Sequence, residues 1–251
     1  MKKLLMVLLS LLMVVALAAC TKKEEPAPTP EPEPTPEVTV MSHADYVAAP
    51  MDSEVTVETY VQAHNSWWDG KVTVYTQAED GAYFIYDMPI EEAEVEKLVE
   101  GQKIRVTGYK SEWSGEVEIT DAKYEILDGN WVAPVTDDTA LLGNDEELIK
   151  HQNEKVAFNG LTVAASTDPS GNEVAWLYNW DGSGEEGSDV YFNVTDGTNT
   201  YTFLVRSYLT GPDTEVYQAA KTLNVGDVVD LEGFCYWYNG VNPHITKITV
   251  K

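Results

Sequence analysis

The sequence predicts a mainly β protein: two tandem five-stranded Greek-key barrels, each with one short helix before strand four. Three observations carry this. First, the run Gly101-Gln-Lys-Ile104-Arg-Val106-Thr-Gly108 returns as Gly226-Asp-Val-Val229-Asp-Leu231-Glu-Gly233, with Gly115 and Gly240 each seven residues further on and Ile119-Thr120 matched by Ile245-Thr246. Glycines and apolar positions that recur in register mark an internal repeat. Second, short runs with the period of half-buried strands precede and follow one helical segment in each copy. Third, turn chemistry separates the second and third runs of both copies, as Glu79-Asp80-Gly81 and Asp196-Gly197-Thr198-Asn199.

The chain opens with Met1-Lys2-Lys3 and an apolar run from Leu4 to Ala19, interrupted only by Ser10. A membrane-spanning helix wants about 20 apolar residues; this shorter run, ending in small residues, has the pattern of a signal peptide covering residues 1–19. The last four positions, Leu17-Ala18-Ala19-Cys20, resemble the lipobox of bacterial lipoproteins. That resemblance implies lipidation of Cys20, which becomes the new N-terminus, and an extracytoplasmic protein anchored to the cell membrane. The plain alternative is a secretory signal with an incidental cysteine. Residues 20–40 hold proline at 26, 28, 30, 32, 34 and 36. Alternate prolines forbid helix and supply no ladder donors, so this Pro/Glu/Thr-rich segment is expected to be a disordered, extended spacer.

The folded part divides into a first domain at 41–129, a connector at 130–143 and a second domain at 144–251. In the first copy, strands are expected at Val55 to Ala63, Lys71 to Gln77 and Tyr83 to Tyr86, then a helix from about Pro89 to Val99. In the second they are expected at Val156 to Ala165, Val190 to Thr195 and Tyr201 to Val205, then a helix from about Pro212 to Leu223. A fourth and a fifth strand close each copy. Gly108 and Gly233 interrupt the fourth, where glycine marks a sharp bend or a close backbone approach. This order is that of an OB-type barrel. The G-D-x-V-x-L-x-G run at Gly226 to Gly233, and its looser partner at Gly101 to Gly108, look like the fourth strand of OB folds. The mature chain resembles the tandem OB-fold lipoproteins of Gram-positive gut bacteria. A pair of β-sandwiches is the alternative fold, disfavoured by the single helix before strand four. The connector, with Pro134 and Asp137-Asp138, is readable as a hinge or as a clamp.

Composition narrows the function. The net charge is −26, with 16 basic residues against 42 acidic ones. Nucleic-acid binding that rests on phosphate neutralisation needs Lys and Arg, so nucleic acid is disfavoured as a partner. The two cysteines are Cys20 and Cys235; with Cys20 lipidated no disulfide is available, and Cys235 is expected to be a buried apolar residue. Histidines 43, 64, 151 and 244 show no ligand spacing, and no nucleophile elbow, phosphate loop or zinc motif is present. The expectation is a protein that is not an enzyme, with no cofactor and no metal site. The acidic loop Asp181 to Asp189 has Glu186 where a calcium loop needs glycine.

Tryptophan placement is the remaining signal. Trp67 and Trp68 lie between the first two strands of copy one, and Trp176 and Trp180 in the same connection of copy two; both connections read Trp-Asp-Gly, through Asp69 and Asp181. Trp113 and Trp237, the latter beside Tyr238, lie near the turn between strands four and five. Those loops flank the ligand face of OB folds. The expected function is therefore a membrane-anchored binding or scaffolding protein. It would contact a glycan or other small polar ligand through Trp67, Trp68, Asp69, Trp113, Trp176, Trp180, Asp181, Trp237 and Tyr238, with Asn65, Asn179 and Asn239 orienting it. The alternatives are a surface for an envelope protein and, last, an exported nucleic-acid-binding accessory. The rings are also readable as plugs of the barrel ends.

Overall fold

The computed structural model describes residues 39–251, and the signal segment, Cys20 and nearly all of the Pro-rich spacer lie outside them. Among the described residues no helix is long and apolar enough to cross a membrane. Two closed sheets are present within one compact unit, Val38–Lys251.

The first barrel consists of β1 (Glu54–His64), β2 (Lys71–Ala78), β3 (Gly81–Pro89), β4 (Gln102–Trp113) and β5 (Glu116–Asn130), in the spatial order β1-β2-β3-β5-β4. Antiparallel pairing prevails, and the closing pair, β3 with β5, is parallel, with Phe84 opposite Glu118 and Ile85 opposite Ile119. A helix absent from the sequence-based expectation, α1 (His43–Ala48), precedes the barrel; Ser42 caps it by accepting the Asp45 N–H, and Tyr46 enters the core. Lys110 Nζ donates to the carbonyls of Tyr46, Val47 and Ala49 at 2.8–2.9 Å. The local signal was the Ser42-x-x-Asp45 cap.

The chain then crosses through β6 (Thr136–Asp137) and α2 (Asp145–Leu148) to β7 (Lys155–Ala164). Pairing of β6 with β7 makes the connector a clamp on the second barrel, and at its other end Ala133 N–H donates to Gln62 of the first. The short strands β8 (Ser166–Thr167), β9 (Glu173–Val174) and β10 (Trp176–Tyr178) decorate the connection to β11 (Val190–Thr195) and β12 (Thr200–Val205). There follow α3 (Ser207–Thr210), α4 (Glu215–Ala220), β13 (Val228–Phe234) and β14 (His244–Val250). β7 pairs with β11 and β13, and β12 with β14 in parallel, Leu204 opposite His244. The second barrel thus repeats the order of the first, and the mainly β, barrel-type fold class stands as expected.

The helices need correction. In the first copy the helix expected from about Pro89 to Val99 is present as a shorter 3-10 helix, Glu92–Lys97, and Pro89 ends β3; only Leu98 of its apolar stripe is fully buried, while Val99 is exposed. Three acids in this six-residue segment (Glu92, Glu94, Glu96) and one buried anchor leave little to drive a longer helix. In the second copy Thr214, not Pro212, provides the cap, and Val216, Tyr217 and Ala220 enter the core.

β1 shows the alternation expected of a strand with one buried face, whereas β2 is buried along almost its whole length. Val72 and Val74 face the first core. Tyr75 and Phe84 point the other way and form a separate apolar cluster with Phe234 of the second barrel. Burial on both faces erases the period-2 signal.

Gly108 and Gly233 sit where strand four bends, beside register shifts in its pairing. A Cβ on Gly108 would meet Thr120 O at 2.6 Å, and one on Gly233 would meet His244 O at 2.2 Å. Both neighbours are backbone and cannot swing aside. Gly233→Ala is therefore expected to cost about 3 kcal/mol in urea unfolding. Gly197→Ala, which meets only an unfavourable φ of 91° in open space, should cost nearer 1–2 kcal/mol.

Candidate functional site

The two barrels meet through the hairpin that joins β4 to β5. Glu116 is fully buried there: Asn153 Nδ2 donates to Oε1 at 2.6 Å and the Trp237 N–H donates to Oε2 at 2.9 Å. Burial pushes its pKa well above the ordinary carboxylate range, against the pull of those two donors. Gln152 donates to Gly115 O, and the Asn239 N–H donates to Ser114 O at 2.7 Å. On the neighbouring strands, Gln77 accepts the Lys155 N–H, and the Tyr75 hydroxyl lies 2.7 Å from His244 Nδ1. His244 stacks on Tyr236 at 4.1 Å. Burial, then Arg206, holds His244 well below its usual pKa, so it stays neutral.

Beside this junction opens a cleft of ≈1100 Å³ walled by both barrels. Its aromatic lining comprises Tyr75, Phe84, Tyr86 and Trp113 from the first barrel and Trp180, Tyr191, Tyr201, Tyr236 and Tyr238 from the second. Trp113 is 61% exposed and Trp180 76%; the anchored hairpin sets the first. The second sits on a loop tied down by Asp189, which accepts from Arg206, from the Ser207 N–H and from the Ser207 hydroxyl. Arg206 is the cation of the lining; burial opposes its charge, but Asp189 at 2.8 Å and surrounding phenols keep its pKa above the ordinary value. Asn65, Asn239 and Asn242 supply amides. Glu118 lines the same cleft, 7% exposed. Burial, then Asp87, pushes its pKa up to about 7.

Of the expected site residues, the structure brings Trp113, Trp180 and Tyr238 together in this cleft. It places the others elsewhere. Trp67 is half-buried against the first core, its indole N–H donating to Ile90 O. Trp68, 75% exposed, pairs in an isolated bridge with Lys71 away from the lining. Trp176 belongs to β10 and packs on Tyr178 and the second core. Trp237 is a core residue. Asp69 occupies a turn with φ 47°, and Asp181 accepts the Ser183 N–H. Asn179 hydrogen-bonds to Asp189 O through its backbone. Within the acidic loop, Glu186 is taken by Lys221 and Tyr178, and Asp189 by Arg206; among the described residues no group of three His, Cys, Asp or Glu could hold a metal. Cys235 is buried in the second core, and burial pushes its thiol far up.

Sequence reasoning missed Tyr86, Tyr191, Tyr201, Tyr236, Arg206 and Glu118. The available signal was aromatic residues on outward-facing strand positions, where solvent exposure would favour polar ones.

No family model matches the sequence, and no curated protein matches it. Solved structures of similar fold include a murine DNA-binding protein bound to double-stranded DNA (14% identity, 78% of this chain and 96% of that one, TM-score 0.34). Others are the Ifi202 HINa domain in complex with 20-bp double-stranded DNA (13%, 79% and 98%, TM-score 0.31) and a deletion mutant of the single-stranded DNA-binding protein from Thermus aquaticus (15%, 79% and 93%, TM-score 0.23). At these scores the likeness is one of fold.

These findings correct two expectations: a glycan, other small polar ligand or envelope protein as the partner, and nucleic acid as a disfavoured one. The named structures are of DNA-binding proteins. Two features of the cleft bear on the expectation from charge. Arg206 is a cation within the lining, and base stacking on aromatic rings needs no cation.

Glu118 yields a pH signature. Between its ordinary pKa of 4.5 and its folded value of about 7, the folded state holds a proton that the unfolded chain has released, so this carboxyl makes the fold less stable as pH rises through that window. Glu118→Gln does not titrate. Its stability relative to wild type is expected to grow by ~1–3 kcal/mol between about pH 4 and about pH 8, measured by urea unfolding at each pH.

Proposed function

We propose that the protein binds a short single-stranded stretch of nucleic acid, its bases stacked in the aromatic cleft between the barrels. The observation that carries this is the lining itself: nine tyrosine, tryptophan and phenylalanine side chains from two barrels converge on one opening, Trp113 and Trp180 standing largely in solvent. Large exposed rings gathered in a concave site mark a contact surface, and each stacked base contributes about 1–3 kcal/mol. Four of these aromatics, Tyr191, Tyr201, Tyr236 and Tyr238, are tyrosines of the second barrel, and they share the lining with Trp180. DNA binding by proteins of similar fold agrees with this reading.

The reading makes a demand on charge. With a net charge of −26 and Arg206 the cation of the cleft, phosphate neutralisation contributes little, and stacking supplies the affinity. The role is binding, not catalysis. The chain is exported, cut before Cys20 and tethered through it, and the Pro-rich segment spaces the barrels, each its own domain, from the membrane. Cys20→Ser is then expected to move the protein from the membrane fraction to the soluble one.

Trp113→Ala and Trp180→Ala should each weaken binding of a labelled eight-nucleotide single-stranded DNA by about 5- to 100-fold without a loss of thermal stability. Trp237→Ala, a core truncation, should instead cost ~3–5 kcal/mol of stability. Because one cation faces the strand, affinity should change less than about threefold between about 50 and 200 mM salt, read by fluorescence anisotropy. Binding that collapses with salt, or survives both ring removals, refutes a stacking cleft.

A further inference from the structure

The cleft holds a carboxyl whose hydrogen-bonding is incomplete. Glu118 is at the start of β5, opposite Phe84 across the parallel closing pair, with only 7% of its surface exposed. Among the described residues no hydrogen bond and no ion pair reaches its carboxyl oxygens. The nearby cation is already committed, since Arg206 pairs with Asp189 at 2.8 Å. Asn65 Oδ1, in the same lining, is also buried with no donor. His244, which holds the equivalent position in the second barrel opposite Leu204, is by contrast satisfied by Tyr75. The Glu118 carboxyl oxygens are not fully enclosed, so they stay open to a donor that enters the cleft. The cleft is therefore short of donors, and a bound base can supply them.

We propose that Glu118 makes the cleft select bases that present an amino group on their hydrogen-bonding edge, namely cytosine, adenine and guanine, over thymine and uracil. This rests on the nucleic-acid reading of the same cleft. The amino hydrogens of cytosine N4, adenine N6 and guanine N2 complement a carboxylate, as Glu and Asp accept from cytosine N4 in groove recognition. Thymine and uracil present two carbonyl oxygens flanking a single N–H, which sets lone pairs against the carboxylate. Stacking on Tyr86 and Tyr236 tolerates every base, because every base has a π face, so the carboxyl supplies the discrimination between them.

The test uses the full chain at about pH 8, where Glu118 is ionised, and fluorescein-labelled eight-nucleotide oligomers of dC, dA or dT. Oligo-dC and oligo-dA are expected to bind at least about fivefold more tightly than oligo-dT, the equivalent of one discriminating contact. Glu118→Gln, which offers an amide oxygen and amide hydrogens alike, should bring the three within about twofold. A substrate-side control needs no variant: oligo-dC with both N4 hydrogens replaced by methyl groups should fall to the oligo-dT affinity on the wild-type protein. Equal binding of dC, dA and dT by the wild type, or a preference that survives Glu118→Gln or N4 methylation, overturns the assignment and leaves the stacking cleft standing. Absence of binding to every oligomer overturns the nucleic-acid reading itself.

Discussion

Glu116 is the constraint on which the arrangement of this molecule turns. A carboxyl with no exposure is costly to bury, and it is tolerated because Asn153 and the Trp237 backbone reach it from the opposite barrel. Neither barrel could satisfy it alone. The hairpin that carries it also carries Trp113 and Ser114, so the contacts that dock the barrels here also set the position of a cleft wall. Tyr75, Phe84 and Phe234 add the apolar part of the junction. Side chains that in a lone barrel would face water are here an inner surface.

Repetition of one topology has left two different chemistries at equivalent points. In each barrel the closing strand pair is parallel, and a residue near the start of the closing strand lines the cleft. One barrel places Glu118 there and the other His244. His244 is neutral, stacked and hydrogen-bonded, a structural member of the junction. Glu118 keeps an unpaired carboxyl near an aromatic wall. The shared topology thus gives the frame its pseudo-repeat, while the equivalent positions differ in chemistry, a hydrogen-bonded imidazole on one side and an unpaired carboxyl on the other.

The charge of the molecule fits a binding mode that rarely dominates in nucleic-acid recognition. Phosphate contact normally supplies much of the affinity and makes it steeply salt-dependent. Here acids outnumber bases 42 to 16, and Asp189 balances the cation of the cleft. What remains is flat ring area, most of it tyrosine and tryptophan, whose stiff side chains lose little entropy on contact. Such a surface favours unpaired bases over duplex, whose bases are already stacked.

Much of the fold was legible in the sequence. The glycine pair Gly108 and Gly233 announced the bend of strand four because only glycine survives a backbone oxygen 2.2–2.6 Å from its absent Cβ. Alternating runs such as Val55 to Ala63 fell where β1 lies, since a strand with one buried face writes its period into the chain. Local signals failed where the neighbour was remote. β2 lost its alternation because a second barrel covers its outer face, and the helix before β4 shortened because only Leu98, with Val95 half-buried beside it, had a core to pack on. The site divides the same way. Sequence could collect the tryptophans by loop, but not tell Trp180, in solvent, from Trp237, in the core, because exposure is set by residues more than 100 positions away, as Glu116 is from Trp237. By itself the sequence determined two barrels and their bends, which are local steric and periodic facts. Which rings share a cleft, and that Glu118 faces it without a donor, was decided only by the packing of one barrel on the other.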